Sequence, residues 1–267
     1  MALALVNLGC GTRFHSDWVN IDLYPAGPGV RKANFIRGIP LPDRSAACIY
    51  HSHLFEHLPL AVARRFLGEC RRVLAPGGIL RIVVPDFERS ARDHIATLDR
   101  RRAGENLQAA HRWLLIEMID QIARTRPGGE MVQMIAEDDR HDDFIAARLG
   151  SFGASLISGV REQTRERSRP PRFHRAAWII ERCLPGRLGS AVVDAWFRQR
   201  GEIHMWMYDE FFLGDMLQVA GYVEPQRMTH LTSGIADWSR YGLDAEPDGS
   251  PYKGTSLYME AKRPSTP

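Results

Sequence analysis

The stretch Ala2-Leu3-Ala4-Leu5-Val6-Asn7-Leu8-Gly9-Cys10-Gly11, answered further on by Trp18-Val19-Asn20-Ile21-Asp22, decides the fold. The first run is apolar almost without alternation, as a strand buried on both faces of a parallel sheet must be, and it stops abruptly at a Gly-x-Gly turn. The second run is a short strand that ends on a carboxylate, Asp22. Glycine lets the backbone turn tightly and lets a ligand approach where a Cβ would stand.

Working outward, a third strand is expected over residues 47–52, after the turn-like Ile39-Pro40-Leu41-Pro42-Asp43. Residues 60–74 place Ala63, Phe66, Leu67, Cys70, Val73 and Leu74 on one helical face, with Arg64, Arg65, Glu69, Arg71 and Arg72 mostly opposite. That helix should stop at Pro76-Gly77-Gly78, where proline cannot continue the ladder. A β-rich run follows over 79–84 and ends at Pro85-Asp86. Strands alternating with a helix at these intervals predict a doubly wound, Rossmann-like α/β fold with a mostly parallel sheet.

After Asp86 the patterning turns helical as far as about residue 200, broken at Pro127-Gly128-Gly129, over 150–159, at Pro170-Pro171 and at Pro185-Gly186. Leu107, Ala110, Leu114, Met118 and Ile122 form one apolar stripe, and Trp178, Ile179 and Cys183 suggest another. The sheet pattern returns with an amphipathic helix over 208–220, closed by Gly221, and strands over 222–229 and 256–261. The expected organisation is a first sheet half over 1–88, a large helical insertion over 89–203 shaping an acceptor pocket, and a completing segment over 204–267.

Taken in order, Asn7-Leu8-Gly9-Cys10-Gly11, Trp18-Val19-Asn20-Ile21-Asp22-Leu23, Leu41-Pro42-Asp43, His53-Leu54-Phe55-Glu56-His57-Leu58 and the segment from Arg72 to Asp86 span most of the first 86 residues. This series resembles the class I S-adenosylmethionine-dependent methyltransferases, in particular the bacterial type-11-like branch often associated with surface-saccharide enzymes. The segments His204-Met205-Trp206-Met207-Tyr208-Asp209-Glu210 and 252–260 look similar to that branch as well. The resemblance implies S-adenosyl-L-methionine as cofactor, with Leu8, Gly9, Cys10 and Gly11 lining its methionine portion and Asp22 at the ribose. It implies Asn34 and Phe35 at the adenine, and His51 with Ser52 beneath the sulfonium. The chain departs from the family pattern at Asn7, usually acidic, at Arg13, usually the third glycine of GxGxG, and at Ala47, usually aspartate. A nicotinamide cofactor would need a third glycine for its pyrophosphate, and Phe14 stands there.

Methyl transfer to a hydroxyl needs an aligned acceptor and a proton acceptor, and histidine suits the second task. His53, which follows the strand expected beneath the cofactor, is the first candidate, set against a structural histidine bonding loop backbone. His204 is the alternative base. Glu56, His57, Trp206 and Tyr208 are candidate acceptor contacts, although Trp206 and Tyr208 also have the alternation of packed residues. His53-Leu54-Phe55-Glu56-His57 matches H-x-x-E-H, a zinc-peptidase pattern that needs both histidines on one helix face. Pro59 follows too soon for such a helix, so no metal set is assigned. The arginines Arg161, Arg165, Arg167, Arg169, Arg172 and Arg175 read as a solvated face and loop, or as a grip on an anionic acceptor.

Composition sets the outer limits. The chain has 267 residues, 44% hydrophobic and 25% charged, with a net charge of +3, too small a surplus to argue for nucleic acid. Its cysteines, Cys10, Cys48, Cys70 and Cys183, are scattered, which fits a reducing cytoplasm. The N-terminal apolar run lacks the basic flank of a signal peptide, and no run approaches the length of a transmembrane helix. The expected function is O-methylation of a saccharide or other small metabolite. Alternatives are methylation of a secondary metabolite, or a partner subunit that binds the cofactor without turnover, an idea the departures at Asn7, Arg13 and Ala47 motivate.

Overall fold

The computed structural model of the chain describes residues 3–137, 141–165, 172–184 and 186–265. In chain order the first elements are β1 (Ala4–Leu8), β2 (Val19–Asp22), β3 (Val30–Lys32), β4 (Ala46–Ser52), α1 (Leu60–Val73) and β5 (Leu74–Pro85). A long helical stretch follows: α2 (Phe87–Arg102), α3 (Gln108–Ala123), α4 (Gly129–Glu137), α5 (Asp142–Leu149), α6 (Ser151–Arg165), α7 (Arg172–Cys183) and α8 (Arg187–Arg198). The chain ends with α9 (Glu210–Val219), β6 (Val223–Met228) and β7 (Ser256–Lys262). Two compact units result, one of residues 1–89 and 205–267, the other of residues 90–204.

In the first unit the strands form a seven-stranded sheet in the order β3-β2-β1-β4-β5-β7-β6. The pairs β1–β2, β2–β3, β1–β4 and β4–β5 are parallel, and β7 runs antiparallel to both β5 and β6. The expected Rossmann-like, mostly parallel sheet is therefore present. Chain order reverses between β1 and β4, the switch point beside which open α/β sheets hold their ligands.

The two faces of this sheet are covered differently. Ala63, Phe66, Leu67, Cys70 and Val73 of α1 and Leu213, Met216 and Leu217 of α9 pack with Val6, Leu8, Ile49 and Ile82 into one core. On the other face Trp18, Cys48, Tyr50, Val83 and Tyr258 meet Ile235, Trp238 and Leu243, which belong to the irregular connection between β6 and β7. Arg81 of β5 fastens that connection. Its guanidinium is fully buried and donates to Asp244 Oδ2 at 2.9 and 2.7 Å, to Glu260 Oε1 at 2.6 Å, and to the carbonyls of Thr229 and Thr232. The same guanidinium lies 4.4 Å from the Trp238 ring.

Several expected boundaries shift for local reasons. Strand β3 is an addition, hidden in sequence because it is three residues long among glycines and prolines. Helix α1 ends at Val73, and Leu74 is already extended and paired with Ala46, so β5 includes the Pro76-Gly77-Gly78 segment. Asp209 caps α9 by accepting the Phe212 N–H at 2.8 Å. Asp209→Ala is expected to cost about 1 kcal/mol of stability, a melting temperature lower by about 2–4 °C. An unchanged melt would remove the cap from the account.

In the second unit the buried face of α3 carries Trp113, Leu114, Glu117 and Asp120, while Ile119 and Ile122 are exposed. The apolar stripe expected there is thus displaced. The reason is electrostatic: Arg148 pairs with Glu117, and Arg124 pairs with Asp120 at 2.7 Å, so carboxylates take positions that apolarity alone would assign to Met118 and Ile122. Trp178 and Ile179 of α7 are likewise exposed, whereas Ala177 packs with Val193 and Phe197 of α8. Met1, Ala2, Arg167, Arg169, Pro170, Pro171 and Pro185 lie outside the described residues, as do the side chains of Arg165, Arg172 and Arg175. Arg161 pairs with Asp142 at 3.0 Å. Among the described residues no helix is long and apolar enough to cross a membrane.

Candidate active site

The switch point holds a cleft of about 190 Å³, lined by Asn7, Gly9, Cys10, Gly11, Thr12 and Arg13 after β1, by Tyr50, Ser52 and His53 at the end of β4, and by Leu243, Tyr252 and Lys253. Two strand ends and the connection before β7 therefore supply its walls. The turn after β1 needs its glycines: Gly9 has φ +66° and Gly11 φ +52°, left-handed conformations that cost a side-chain-bearing residue. A Cβ on Gly11 would meet nothing within 4 Å, so the backbone there faces open space. Asp22 at the end of β2 holds this turn, since its Oδ2 accepts the Gly11 N–H at 2.9 Å and its Oδ1 the Tyr24 N–H at 2.7 Å.

Arg13 does not behave as a lost glycine. Its guanidinium donates to the carbonyls of Gly242 and Ala245 at 2.8 and 2.7 Å, pairs with Glu246 at 3.1 Å and lies 4.4 Å over the Tyr252 ring. It ties the Gly-x-Gly turn to the segment that brings Tyr252 and Lys253 to the cleft. Asn7 is buried, and its Nδ2 donates to the Arg13 carbonyl and to Asn20 Oδ1. Asn7 Oδ1 has no hydrogen-bond partner among the described residues. Burial and the charge of Asp22 push the Cys10 thiol up to about 11, so it lines the wall as a neutral group.

His53 stands directly after β4 with φ +50°, a strained conformation for a residue with a Cβ. Its Nδ1 is 3.2 Å from Oε1 of the fully buried Glu56, and its Nε2 is 2.9 Å from Ser256 Oγ at the start of β7. Burial, helped by the charge of Lys253, lowers the imidazole pKa to about 4, so the ring is neutral at physiological pH. Burial likewise lowers Lys253 to about 8. A single 3-10 turn, Phe55–His57, follows His53, so the two histidines of the H-x-x-E-H pattern share no α-helical face.

The residues expected from sequence divide into groups. Gly9, Cys10, Gly11, Ser52 and His53 come together at the cleft, with Asp22 bonded to its turn and Glu56 behind His53. Leu8 is a correction: it is not among the cleft's lining residues, and its side chain is in the core. His51 is a correction: alternation along β4 turns it away from Ser52, and it lies buried against Phe55 and Phe66 with ring centroids at 5.6 and 5.4 Å. Phe35 packs on Phe66 in the same core, and Asn34 is exposed beside it. Tyr208 is fully buried against Phe55, whereas Trp206 is 41% exposed and stacks near Phe212. His57 approaches Glu56 at 4.0 Å. His204 belongs to the second unit, buried, with its backbone N–H donated to the Gln121 carbonyl at 2.9 Å. Tyr50, Tyr252, Lys253 and Ser256 escape sequence reasoning as site residues, although the segment 252–260 carries part of the resemblance.

Residues 10–82 match the family described as a methyltransferase domain. No curated protein matches the chain. Among solved structures, a Haloferax volcanii complex between the Trm112 methyltransferase activator and a methyltransferase is 12% identical, covering 99% of this chain and 85% of that one at a TM-score of 0.40. A SAM-dependent methyltransferase from Archaeoglobus fulgidus is 10% identical over 98% of this chain and 86% of its own, at 0.39. One from Mesorhizobium loti is 23% identical, but the match spans only 32% of this chain and 47% of that one, at 0.26. The family match falls within the first unit, on the part that carries the end of the glycine turn, β2, β3, β4, α1 and most of β5.

Proposed function

We propose that this chain is an S-adenosylmethionine-dependent methyltransferase that delivers its methyl group to a hydroxyl oxygen of a saccharide or another small metabolite, with His53 as the base. The residues present fit the cofactor. Gly11 opens toward free space, and Asp22 keeps a lone pair on each oxygen beyond the N–H groups it accepts and can take ribose hydroxyls. When bound, S-adenosylmethionine supplies an electrophilic methyl group on a sulfonium.

The observation that carries the oxygen acceptor is the hydrogen-bonding state of His53. Nδ1 lies 3.2 Å from the Glu56 carboxylate, which favours the tautomer with its proton on Nδ1 and Nε2 as the acceptor, and a hydroxyl, that of Ser256, already sits 2.9 Å from Nε2. An acceptor hydroxyl in that position would give its proton to Nε2 while its oxygen is freed to attack. The buried Glu56 would then hold the imidazolium that forms.

The test is transfer of labelled methyl to a panel of saccharides, small alcohols, amines and carbon acids. Label recovered in an ether on a hydroxylated acceptor supports the reading. Transfer confined to nitrogen or carbon acceptors contradicts it, and cofactor binding without transfer to any acceptor would instead favour a partner subunit.

A further inference from the structure

We propose that the hairpin of α7 and α8 is a docking surface for an anionic lipid bilayer, its outward apolar residues entering the headgroup layer and its arginines pairing with lipid phosphates. The inference rests on the second unit alone and is independent of the cofactor reading.

The hairpin packs on itself and leaves a second set of apolar side chains outside. Ala177 and Ile180 of α7 meet Val193, Trp196 and Phe197 of α8. Gly186 makes the turn between them with φ +75°, and Gly189 admits the close approach, since a Cβ there would run into the Leu184 carbonyl. Away from that contact stand Trp178 and Ile179, 62% and 55% exposed, and Leu188, 61% exposed. On α8 the residues Leu188, Ala191, Val192 and Ala195 are all exposed, at the i, i+3, i+4, i+7 spacing of one helical stripe. Helix α8 is thus apolar twice, once toward α7 and once toward the outside. Contiguous apolar surface of this kind marks a protein or membrane contact.

Charge decides between the two. Over residues 172–200 the sequence has six arginines against two carboxylates, Glu181 and Asp194. Elsewhere in the second unit arginines are met by carboxylates, as Arg112 is by Glu137, Arg148 by Glu117 and Arg161 by Asp142. In the hairpin Arg182, Arg187 and Arg198 are exposed and enter no ion pair among the described residues. Arg182 instead lies 5.6 Å from the Trp178 ring, and Arg200 lies 5.2 Å from that of Trp196. Indole and guanidinium groups both carry an apolar body and a polar tip, which suits the boundary between water and hydrocarbon. A second copy of this face would set arginine against arginine, whereas a lipid phosphate takes a guanidinium through two hydrogen bonds. Apolar stripes flanked by arginine are the composition of helices that lie in the plane of the membrane interface. Each helix has 12 residues. That is about 18 Å of length, too short for a hydrocarbon core of about 30 Å, so the hairpin lies on the bilayer and does not span it.

The experiment is co-sedimentation of the whole chain with vesicles of phosphatidylcholine alone and of equimolar phosphatidylcholine and phosphatidylglycerol. Wild type should bind the anionic vesicles at least about tenfold more tightly than the neutral ones. The triple variant Arg182→Gln, Arg187→Gln, Arg198→Gln should weaken anionic binding about 100-fold, at roughly fivefold for each arginine near the surface. The pair Trp178→Ser, Leu188→Ser should weaken it by about tenfold or more through lost apolar burial. Arg31→Gln, Arg64→Gln, Arg65→Gln removes the same charge from the first unit and should hold within about threefold, because charges away from the docking surface are screened. Thermal melts check that each variant is folded, and should one set fail to fold the other still decides. Failure to sediment with anionic vesicles, equal binding to both vesicle types, or equal weakening by the first-unit set overturns the proposal. So does an unchanged affinity in either hairpin variant. A dimer in analytical ultracentrifugation that Trp178→Ser, Leu188→Ser dissolves would assign the face to a second copy and overturn the proposal as well.

Discussion

Replacing His53 by alanine is expected to lower kcat by about 10²–10⁴, the range a positioned base contributes to proton transfer, while leaving affinity for S-adenosylhomocysteine within a few-fold. The expectation follows from the side chain's surroundings. Glu56 orients the ring from one side, Ser256 marks where a hydroxyl can approach on the other, and the strained backbone at φ +50° holds the residue at the end of β4. The pH profile is the sharper readout. The imidazole pKa is lowered from 6.5 to about 4 by burial and by Lys253, so the active neutral form persists as pH falls through 6.5 and is lost only on approach to about 4. The rate should therefore stay level between pH 8 and about pH 5.5, provided the protein remains folded, and the alanine variant should show no such limb. A wild-type limb centred near 6.5, or an alanine variant with undiminished kcat, removes His53 as the base.

Arg81→Ala should have the largest effect on stability. Removal of one partner from a buried ion pair costs about 3–5 kcal/mol, because the remaining charges stay out of water without compensation. Here Asp244 and Glu260 would both be left behind, with side chains 2% and 5% exposed, and the Thr229 and Thr232 carbonyls would lose their donor. A fall of roughly 10 °C in melting temperature is expected. Asp244 also accepts the Tyr50 hydroxyl at 2.6 Å on the cleft side of β4, so loosening should extend to the segment that carries Tyr252 and Lys253. Faster amide exchange over residues 229–255 than in α1 would show it. A melt within about 2 °C of wild type would mean that water replaces the arginine and that the network adds little.

The elements legible in sequence are those where local chemistry and burial agree. The β1 run with its glycine turn, the short strand ending at Asp22, the α1 stripe and the last two strands all declare themselves by period and by punctuation. What escapes does so for physical reasons. The connection before β7 packs on one face of the sheet with no period at all, because a few anchors, Ile235, Trp238, Leu243 and Asp244, make the contacts. Lys253, Tyr252 and Ser256 reach the cleft from more than 200 residues along the chain, and no local signal encodes that return. Face assignment was open to strand alternation at His51 and Ser52, since neighbours on a strand cannot both point into one cleft. In α3 the apolar stripe departs from the buried face because Arg148, from α5, neutralises Glu117, and Arg124, at the end of α3 itself, neutralises Asp120. Arg13 shows the converse, a departure from the glycine pattern that the fold uses as a tether.

The most direct test of the central claim is titration of the purified chain with S-adenosylhomocysteine, wild type beside Asp22→Ala, with a thermal melt to verify that both are folded. Wild type should bind, and loss of the two ribose hydrogen bonds proposed for the Asp22 carboxylate should weaken binding about 100-fold. A folded wild type that does not bind, or an Asp22→Ala variant that binds as well as wild type, would contradict the placement of the cofactor at the β1–β4 switch point.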